Sequence, residues 1–488
     1  MSNIQITDLT YRYDSAEKYI FKNVSLNLDT NWKLGLIGRN GKGKTTLLKL
    51  LLNKYEYKGK ILSDMQFEYF PFDVKDKNRL TIDIIEDIVF DFEEWRIIKE
   101  LNLLSTNLDV LYKPFNTLSG GEQVKVLLAA LFIKDNSFLL IDEPTNHLDN
   151  ESRKNIEQYL KNKKGFILVS HDRELLNNTV DHILSINNNN IELIKGNYTR
   201  WKENKDRQDM FEIKENDKLK QQIGRLETAT KNTASWSDKI EKSKFGDGHV
   251  DKGYIGHQAA KMMKRSKAII KRQEKAIEDK SKLLKNIDRT DLLTIKPLKY
   301  KKDNLIIADK LEVKYGEKII CNNVCFSVNV GDRLAIIGSN GSGKSSILKL
   351  LIDENIEYNG ILKKGTDIKI SYIPQNTDCL FGTISEISKQ YKIDESIFKA
   401  MLSKLGLNQL EFNKDISNLS EGQKKKVLVA KSITESADLY IWDEPLNYVD
   451  ILSRIQIEES ILKYKPTMIF VEHDEIFIKN ISTKILEL

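Results

Sequence analysis

The stretch GRNGKGKTT, at Gly38–Thr46, returns as GSNGSGKSS at Gly338–Ser346. Three more stretches recur in the same order: LSGGE and LSEGQ, LLIDEPTNHLD and YIWDEPLNYVD, ILVSHD and IFVEHD. Their spacing recurs as well, because Lys44 precedes Ser119 by 75 residues and Lys344 precedes Ser420 by 76. Fixed internal spacing of this kind indicates a duplicated domain, here with a period of about 300 residues.

Each copy predicts an α/β domain with a P-loop. Short apolar strands, Lys33–Ile37 and Arg333–Ile337, run into the glycine-rich stretches, and apolar helix starts follow them. Strands that alternate with helices favour a parallel sheet covered on both faces. We predict a first domain over residues 1–200 and a second over residues 301–488, while residues 201–300 belong to neither copy.

Composition argues against several classes of protein. No apolar run is long enough to span a membrane, and the N-terminal stretch does not have the pattern of a secretory leader. The three cysteines are too few for a disulfide framework and lack partners for a zinc site. We expect a cytoplasmic protein with reduced thiols and with no membrane or DNA partner.

Both glycine-rich stretches fit the phosphate-loop pattern, in which lysine and a hydroxyl residue follow the second glycine. Backbone N–H groups of such a loop, with the N-terminus of the next helix, surround an anion. We expect the lysines to reach the β- and γ-phosphates of a nucleotide and Thr45 and Ser345 to hold magnesium. The predicted nucleotide-binding residues are Gly38, Asn40, Gly41, Gly43, Lys44, Thr45, Thr46, Gly338, Asn340, Gly341, Gly343, Lys344, Ser345 and Ser346.

An Asp-Glu pair ends an apolar strand in each copy, and a histidine follows 28 or 29 residues later. A solvated strand end is the ordinary interpretation of such a pair, but here a phosphate loop lies opposite. Phosphoryl transfer depends on positioning and charge neutralisation. We therefore predict that the aspartates hold magnesium, the glutamates polarise the attacking water and the histidines contact the γ-phosphate. These residues are Asp142, Asp443, Glu143, Glu444, His171 and His473.

Motifs in this order resemble the ATP-binding cassette superfamily over about four-fifths of the chain. The resemblance implies Mg²⁺-dependent ATP hydrolysis, with the signature of one cassette closing the ATP site of the other inside a single monomer. Lys44 then pairs with the second signature and Lys344 with the first, through Ser119, Gly120, Gly121, Ser420 and Gly422. It also implies an aromatic residue stacked on adenine, which Tyr13 and Tyr315 match by position; strand-end tyrosines are the alternative.

Two departures from the family pattern fall in one predicted site. The family carries a glutamine that Gln375 matches, as a ligand of magnesium and nucleotide, whereas Phe72 stands at that point of the first copy. The second signature has Glu421 where a glycine is usual. Because both departures lie beside the nucleotide of Lys44, we predict slower hydrolysis there than at Lys344.

Residues 201–300 predict an antiparallel helical hairpin. Leu219, Ile223 and Leu226 recur at helical spacing, and two heptad series follow. The two series are Met262, Ile269, Ala276, Leu283 and Met263, Ile270, Ile277, Leu284. This segment carries a net charge of about +9, against +6 for the whole chain, so it holds the entire positive excess.

The predicted tip of the hairpin, about residues 234–257, mixes lysines with aromatic side chains. Such a mixture suits the phosphates and unstacked bases of structured RNA. A solvated helical linker is the alternative. The predicted contact residues are Trp236, Lys244, Phe245, His249, Tyr254 and His257.

Two cassettes joined by a basic hairpin resemble the ABC-F family. The stretches NWKLGLIGRNGKGKTTLL, FILVSHDRELL, MKRSKAI and LYIWDEPLNYVD are similar to its antibiotic-resistance branch of Lsa- and Vga-type proteins. That resemblance implies a ribosome partner, with rRNA and P-site tRNA near the exit site and peptidyl-transferase centre. It also implies protection from lincosamides, pleuromutilins and streptogramin A. The alternatives are a housekeeping ABC-F translation factor and the motor of an exporter with separate membrane subunits.

Overall fold

A computed structural model describes residues 3–14, 18–90, 92–145, 148–187, 190–242, 261, 264–273, 275–276, 278 and 292–488, with the backbone alone for residues 233–242. The chain divides into two compact units. One comprises Met1–Thr199 with Thr290–Leu488, and the other is Arg200–Arg289. Both α/β domains therefore lie in a single compact unit.

The first domain combines a mainly parallel sheet with a smaller antiparallel sheet. Its described strands are β1 (Asn3–Tyr11), β2 (Phe21–Asp29), β3 (Lys33–Ile37), β4 (Lys58–Ser63), β5 (Gln66–Phe70), β6 (Ser137–Asp142), β7 (Phe166–Val169), β8 (His182–Asn187) and β9 (Asn190–Lys195). The larger sheet has the order β5-β6-β7-β3-β8-β9, in which β9 alone runs antiparallel to its neighbour. The smaller sheet has the order β2-β1-β4. The α-helices are Lys44–Leu51, Thr81–Ile88, Glu94–Leu103, Gly120–Phe132, Asn150–Lys161 and Arg173–Thr179, and the 3₁₀ helices are Leu108–Tyr112 and Phe115–Thr117.

The second domain repeats this architecture. Its described strands are β10 (Asn304–Tyr315), β11 (Lys318–Asn329), β12 (Arg333–Ile337), β13 (Glu357–Lys364), β14 (Ile370–Ile373), β15 (Leu439–Asp443), β16 (Met468–Val471) and β17 (Lys484–Glu487). The sheets have the orders β14-β15-β16-β12-β17, which is parallel, and β11-β10-β13, which is antiparallel. The α-helices are Lys344–Leu351, Ile384–Gln390, Glu395–Lys404, Glu421–Thr434, Ile451–Tyr464 and Glu475–Ile481, and the 3₁₀ helices are Gln409–Glu411 and Ile416–Asn418.

The parallel sheets place the predicted site residues at one edge. β6 and β7 are buried along almost their whole length, as are β15 and β16, and such continuous apolar strands are typical of a sheet covered on both faces. The carboxyl ends of parallel strands meet at the same edge of a sheet. The phosphate loop after β3 and the Asp-Glu pair at the end of β6 therefore lie close together, and the same holds for β12 and β15.

The second unit is helical. One α-helix runs from Tyr198 to Lys242 over 45 residues, and residues 264–273 are again helical. The two segments lie side by side where Thr230 Oγ1 donates to Gln273 Oε1 at 3.1 Å. Leu219, Ile223 and Leu226 are half-buried, as their spacing predicts.

Only part of the predicted heptad seam is observed. Ile270 is half-buried, but its neighbour Ile269 is 45% exposed, so the prediction that both series lie in the contact is wrong at Ile269. Trp236 lies in the long helix, of which only the backbone is described there. The remaining predicted tip residues, Lys244, Phe245, His249, Tyr254 and His257, lie outside the described residues. In the part of the chain that is described, no helix combines the length and apolarity needed to cross a membrane.

Candidate nucleotide-binding sites

The phosphate-loop lysines are folded back onto their own loops. Lys44 Nζ donates to Gly38 O at 2.7 Å and to Asn40 Oδ1 at 3.2 Å. Lys344 Nζ donates to Gly338 O at 2.9 Å and to Ser339 O at 2.7 Å. Each lysine is buried at the start of a helix, and each ammonium group is bonded to oxygen atoms of its own loop.

The glycine before each lysine cannot be replaced without strain. Gly43 and Gly343 have φ values of 102° and 98°, in the left-handed region that favours glycine. A Cβ atom at Gly43 would also lie 2.5 Å from Ile20 Cγ2, and one at Gly343 would lie 2.8 Å from Ile320 Cγ2. Close packing of the loop against these isoleucines therefore requires glycine.

At the site that contains Lys44, called the Lys44 site below, Asp142 is held next to the loop. Its Oδ2 accepts hydrogen bonds from Thr45 Oγ1 at 3.2 Å and from Tyr69 Oη at 3.0 Å. Glu143 follows, with Oε2 accepting from the His171 backbone N at 3.3 Å and Oε1 lying 3.5 Å from His171 Nε2. Burial, reinforced by the charge of Asp142, raises the pKa of Glu143 to about 8.

At the second site, called the Lys344 site, the equivalent glutamate has more partners. Glu444 Oε2 accepts from Asn447 Nδ2 at 2.6 Å, and Glu444 Oε1 lies 3.4 Å from His473 Nε2. Burial acts to raise the pKa of Glu444, but hydrogen bonds from His473 and Gln375 and the positive charges nearby lower it to about 2. Glu444 is therefore stabilised as the carboxylate, whereas Glu143 is stabilised as the neutral acid.

The oxygen atoms beside both loops suit magnesium. Asp443 Oδ1 and Glu143 Oε1 are buried and accept no hydrogen bond from any described residue. Burial also raises the pKa of Asp443 to about 6, although Ser345 donates to it. Carboxylate oxygens beside a hydroxyl group are ligands that Mg²⁺ prefers. Asp443 with Ser345, and Asp142 with Thr45, supply this combination, so these residues predicted to hold the ion fit that role chemically.

A cavity of about 490 Å³ at the Lys44 site is bounded by both domains. It is lined by Tyr13, Ile20, Arg39, Asn40, Gly41, Gly43, Lys44, Thr45, Thr46, Asp142, Glu143, Val169, His171, Ser420, Glu421, Gly422, Gln423 and Tyr448. Asn40 Nδ2 donates to Tyr448 O at 2.8 Å, and its backbone N lies 3.4 Å from Asp450 Oδ2. The second signature therefore faces the first phosphate loop, as the family resemblance implies.

The cavity at the Lys344 site, about 550 Å³, has a different lining. It comprises Lys318, Ile320, Asn340, Gly341, Gly343, Lys344, Ser345, Ser346, Gln375, Glu444 and His473. No residue of the first signature, all of which is described, is part of this lining. Asp149 is close enough for its charge to act on the pKa of Lys344, which burial lowers overall. The two sites are thus assembled to different extents.

The two predicted adenine-stacking tyrosines lie in different surroundings. Tyr13 lines the Lys44 cavity, and its hydroxyl is 2.9 Å from Thr46 Oγ1. Tyr315 is 49% exposed, and its hydroxyl lies 3.4 Å from Ser346 Oγ, outside the lining of the Lys344 cavity. The structure therefore places Tyr13, but not Tyr315, on a nucleotide cavity.

The two departures from the family pattern also differ in position. Phe72, although described, does not line the Lys44 cavity, where Tyr69 instead contacts Asp142. Glu421 does line it, but its carboxylate accepts from Thr377 Oγ1 at 2.8 Å and pairs with Lys424 Nζ at 2.9 Å. The hydrogen bond from Lys424 lowers the pKa of Glu421, so the carboxylate is ionised and its charge is partly compensated.

Sequence reasoning missed several cavity residues. Ile20 and Ile320 lie on corresponding walls of the two cavities, and each precedes the first glycine of its loop by 18 residues. The internal repeat contained this signal. Tyr448 contacts Asn40 through a backbone carbonyl, which any residue type could supply, so no sequence signal predicts it.

Two phosphate loops, each with an Asp-Glu pair and a histidine, define a tandem P-loop nucleotide hydrolase. A family model described as ABC transporter matches residues 21–146 and 321–447, slightly more than half of the chain. The chain therefore belongs to the ATP-binding cassette family and is an ATPase.

Proteins with related sequences match nearly the whole chain. Ribosome protection protein VmlR of Bacillus subtilis is 29% identical over 488 residues, covering 97% of this chain and 85% of VmlR. ATP-binding protein Uup of Buchnera aphidicola is 28% identical over 512 residues, covering 99% and 80%. Erythromycin resistance ATP-binding protein MsrA of Staphylococcus epidermidis is 28% identical over 495 residues, covering 95% and 94%. These relatives support the ABC-F resemblance.

Solved structures match in fold. The archaeal ribosome recycling factor aABCE1, in its complex with the archaeal ribosomal stalk protein aP1, superposes with a TM-score of 0.64. Sequence identity is 19%, and the match covers 98% of this chain and 87% of the other. A structure of ribosome-bound archaeal Pelota and ABCE1 gives a TM-score of 0.61 at 19% identity, covering 98% of this chain and 76% of the other. Both share the tandem arrangement of two α/β domains.

Proposed function

We propose that this ATPase is an ABC-F protein that binds the ribosome and protects it from antibiotics of the peptidyl-transferase centre. The observation that carries the proposal is the pairing of two cassettes in one compact unit with a separate basic helical unit. The names of VmlR and MsrA, a ribosome protection protein and an erythromycin resistance protein, support it. Lincosamides, pleuromutilins and streptogramin A are the drugs that we propose it displaces.

ATP hydrolysis follows from the two candidate sites. Lys44 and Lys344 hold the β- and γ-phosphates, with the loop N–H groups around them. Thr45 and Asp142 in one site, and Ser345, Asp443 and Gln375 in the other, would hold Mg²⁺, which would supply charge neutralisation at the phosphates. Glu143 and Glu444 orient and polarise the attacking water, and His171 and His473 contact the γ-phosphate.

Nucleotide state is converted into a conformational change through the domain interface. Ser420 and Gly422 reach the nucleotide of Lys44 from the other domain, so ATP favours the closed arrangement of the domains. The hairpin is covalently attached to the first domain at one end and to the second at the other. Closing therefore acts on both of its ends, and hydrolysis reverses the change.

The basic hairpin is the part that enters the ribosome. Its positive charge favours binding to rRNA phosphates, and the aromatic residues in its sequence suit stacking on unpaired bases. We propose that rRNA and P-site tRNA near the exit site are its partners. Drug is displaced when the tip reaches the peptidyl-transferase centre.

A hydrolysis-deficient variant tests this proposal. Glu143→Gln with Glu444→Gln keeps the phosphate loops and removes both predicted catalytic carboxylates, so the protein should bind ATP and remain closed. We expect this variant to sediment with ribosomes in ATP and to be absent from the ribosome fraction in ADP. Lys44→Ala with Lys344→Ala, which cannot hold the phosphates, is the matched control. Sedimentation with membranes, or none with ribosomes in ATP, contradicts the proposal.

A further inference from the structure

Four buried charged residues form a cluster across the interface between the domains. Arg173 of the first domain donates from Nη1 to Glu458 Oε2 at 2.9 Å and from Nη2 to both oxygens of Asp474 at 3.3 Å. Arg454, from the second domain, donates to Asp474 Oδ2 at 3.3 Å. All four side chains are at most 11% exposed, so each charge depends on its partners for compensation.

Asp474 connects this cluster to the Lys344 site. It directly follows His473, whose Nε2 lies 3.4 Å from Glu444 Oε1. Asp474 also caps the helix Glu475–Ile481, because its Oδ1 accepts from the Phe477 backbone N at 2.9 Å. Its carboxylate therefore fixes both the helix and the residue before it.

A second arginine of the first domain reaches the same segment. Arg153 Nη1 lies 3.5 Å from the backbone O of His473. The backbone N of His473 donates to Glu472 Oε2 at 3.1 Å, inside the second domain. The position of His473 thus depends on contacts from both domains.

The equivalent histidine of the first domain lacks this support. The residue that corresponds to Arg173 in the repeat is Glu475, which pairs with Lys154 at 2.8 Å through side chains that are 40% and 59% exposed. Asp172, which follows His171, pairs with Arg153 of its own domain at 3.7 Å. Among ion pairs between described residues, none joins Asp172 to the second domain.

We propose that Arg173 is a positioning residue for ATP hydrolysis at the Lys344 site. It acts through Asp474 to hold His473 beside Glu444, so this site is competent only while the first domain is docked. The Lys44 site contacts the second domain through other residues, among them Ser420, Gly422 and Tyr448, and no ion pair between described residues joins Asp172, the residue after His171, to that domain. The inference rests on the proposed roles of His473 and Glu444 and adds a dependence of the Lys344 site on the first domain through this ion pair.

Arginine suits this position because its planar guanidinium can bind two carboxylates at once. Arg173→Lys keeps the charge but cannot reproduce the contacts with both Glu458 and Asp474. Arg173→Gln removes the charge and leaves Asp474 paired with Arg454 and Glu458 with only the side-chain amide of Asn480. We therefore expect the lysine variant to keep part of the function that the glutamine variant loses.

Each site can be measured alone in a background that disables the other. In Glu143→Gln protein, where hydrolysis occurs at the Lys344 site, Arg173→Gln should lower kcat at least tenfold and leave KM for ATP within twofold. Arg173→Lys should restore part of kcat. In Glu444→Gln protein, where hydrolysis occurs at the Lys44 site, single-turnover rates should change less than twofold. Thermal unfolding and ATP-analogue binding establish that each variant is folded.

Lys154→Gln is the matched control, because it breaks an exposed ion pair at the same interface and should change neither rate more than twofold. Arg173 is only a docking residue if its variants slow both sites equally, and it has no role if the Glu143→Gln background is unaffected. Either result overturns the proposal. If the Glu143→Gln, Glu444→Gln protein still hydrolyses ATP, the carboxylate assignment fails instead, and that outcome is separate from the behaviour of Arg173.

Discussion

At the scale of single residues, Glu143 and Glu444 occupy the same position in the repeat but differ in the pKa of the carboxyl group and in its hydrogen-bond partners. Both follow a buried strand and an aspartate. Glu143 has one oxygen without a hydrogen bond, and its pKa is raised to about 8, mainly by burial. Glu444 is surrounded by His473, Asn447 and Gln375, which favour the carboxylate. At neutral pH Glu444 is therefore ionised, whereas Glu143 is mostly protonated and in that form cannot accept a proton from water.

This difference predicts unequal hydrolysis. Glu444→Gln should reduce steady-state ATPase activity about tenfold or more at pH 7, because removing a general base typically costs 10²–10⁴-fold and the remaining site is slow. Glu143→Gln should reduce it about twofold or less. A larger loss from Glu143→Gln would show that the Lys44 site is the faster one.

The pH dependence of the same two variants gives an independent check. The pKa of Glu143 is raised, so its carboxylate form increases as the pH rises through about 8. The residual activity of the Glu444→Gln protein should therefore increase between pH 7 and 9. Glu444, with a pKa of about 2, is ionised across that range, so activity of the Glu143→Gln protein should stay nearly level. Parallel profiles for the two variants would contradict this assignment.

Most of each site could be predicted from sequence because phosphate binding requires particular residue types at fixed spacing. Lys44, Thr45 and Asp142 converge as their motifs predict. What could not be predicted is which side chains already have a charged partner and which of them reach the cavity. Glu421 lines the Lys44 cavity, yet its charge is paired with Lys424. Tyr315 matches Tyr13 by position but lies outside the lining of the Lys344 cavity. These outcomes depend on tertiary neighbours.

At the scale of secondary-structure elements, Asp450 and Lys426 form a joint that connects three segments at the domain interface. Asp450 caps the helix Ile451–Tyr464 through Ser453 N at 3.0 Å and accepts a hydrogen bond from Lys426 Nζ of the second signature helix. It also lies 3.4 Å from the backbone N of Asn40 in the first phosphate loop. Burial acts to raise the pKa of Asp450, but Lys426 and Lys44 hold it well below its usual range.

Removing the lysine from this joint should destabilise the second domain. Lys426 and Asp450 have side chains that are 1% and 0% exposed. Lys426→Met therefore leaves the buried carboxylate without its ion-pair partner and should lower the free energy of unfolding by about 3 kcal/mol, the usual scale for breaking a buried ion pair. Lys426→Met combined with Asp450→Asn should recover part of this loss. Thermal and urea unfolding measure both effects.

The sign of the pH dependence follows from the lowered pKa of Asp450. Its contribution to stability is present above the unfolded pKa, about 3.9, and is lost as the pH falls through the folded value. The deficit of Lys426→Met should thus be nearly constant from pH 7 to about pH 4 and shrink as the pH falls below about 4. Lys125, the equivalent residue in the first domain, is the matched control, because Asp149 is only half-buried. An equal deficit for Lys125→Met would show that the buried charge is not the cause.

Strands were more predictable than the helical seam, for a physical reason. A strand buried on both faces needs a continuous apolar run, which the sequence displays directly. In the hairpin, Ile269 and Ile270 are adjacent apolar residues that occur in the same heptad pattern. Only the partner helix decides which of them is covered, and the structure covers Ile270 more than Ile269.

At the scale of the whole molecule, two similar domains produce two dissimilar sites. The sheet orders agree, but the interface does not follow the repeat. At the Lys44 site the second signature lines the cavity and Asp450 is fully buried. At the Lys344 site the lining comes from the second domain, while buried Arg173 of the first contacts the segment after His473. Each domain thus contacts the site of the other through different residues.

In the proposed function, ATP binding and hydrolysis control the movement of the hairpin, and the hairpin tip displaces the drug. A change in the tip should therefore affect drug protection without affecting ATP hydrolysis. Replacing Ser237–Gly253 by a short Gly/Ser loop leaves every described nucleotide-cavity residue unchanged. ATPase activity should remain within about twofold and ribosome sedimentation should persist, since the cassettes are retained. Drug protection, measured as the inhibitory concentration of a pleuromutilin in cells that express the variant, should fall to that of cells without the protein.

A second variant, with a scrambled tip sequence of the same length, separates the effect of hairpin length from the effect of the tip side chains. Loss in both variants assigns protection to the tip side chains, whereas protection by the scrambled tip alone makes length decisive. Retained protection in the truncated protein would mean that the hairpin tip is not the part that displaces drug.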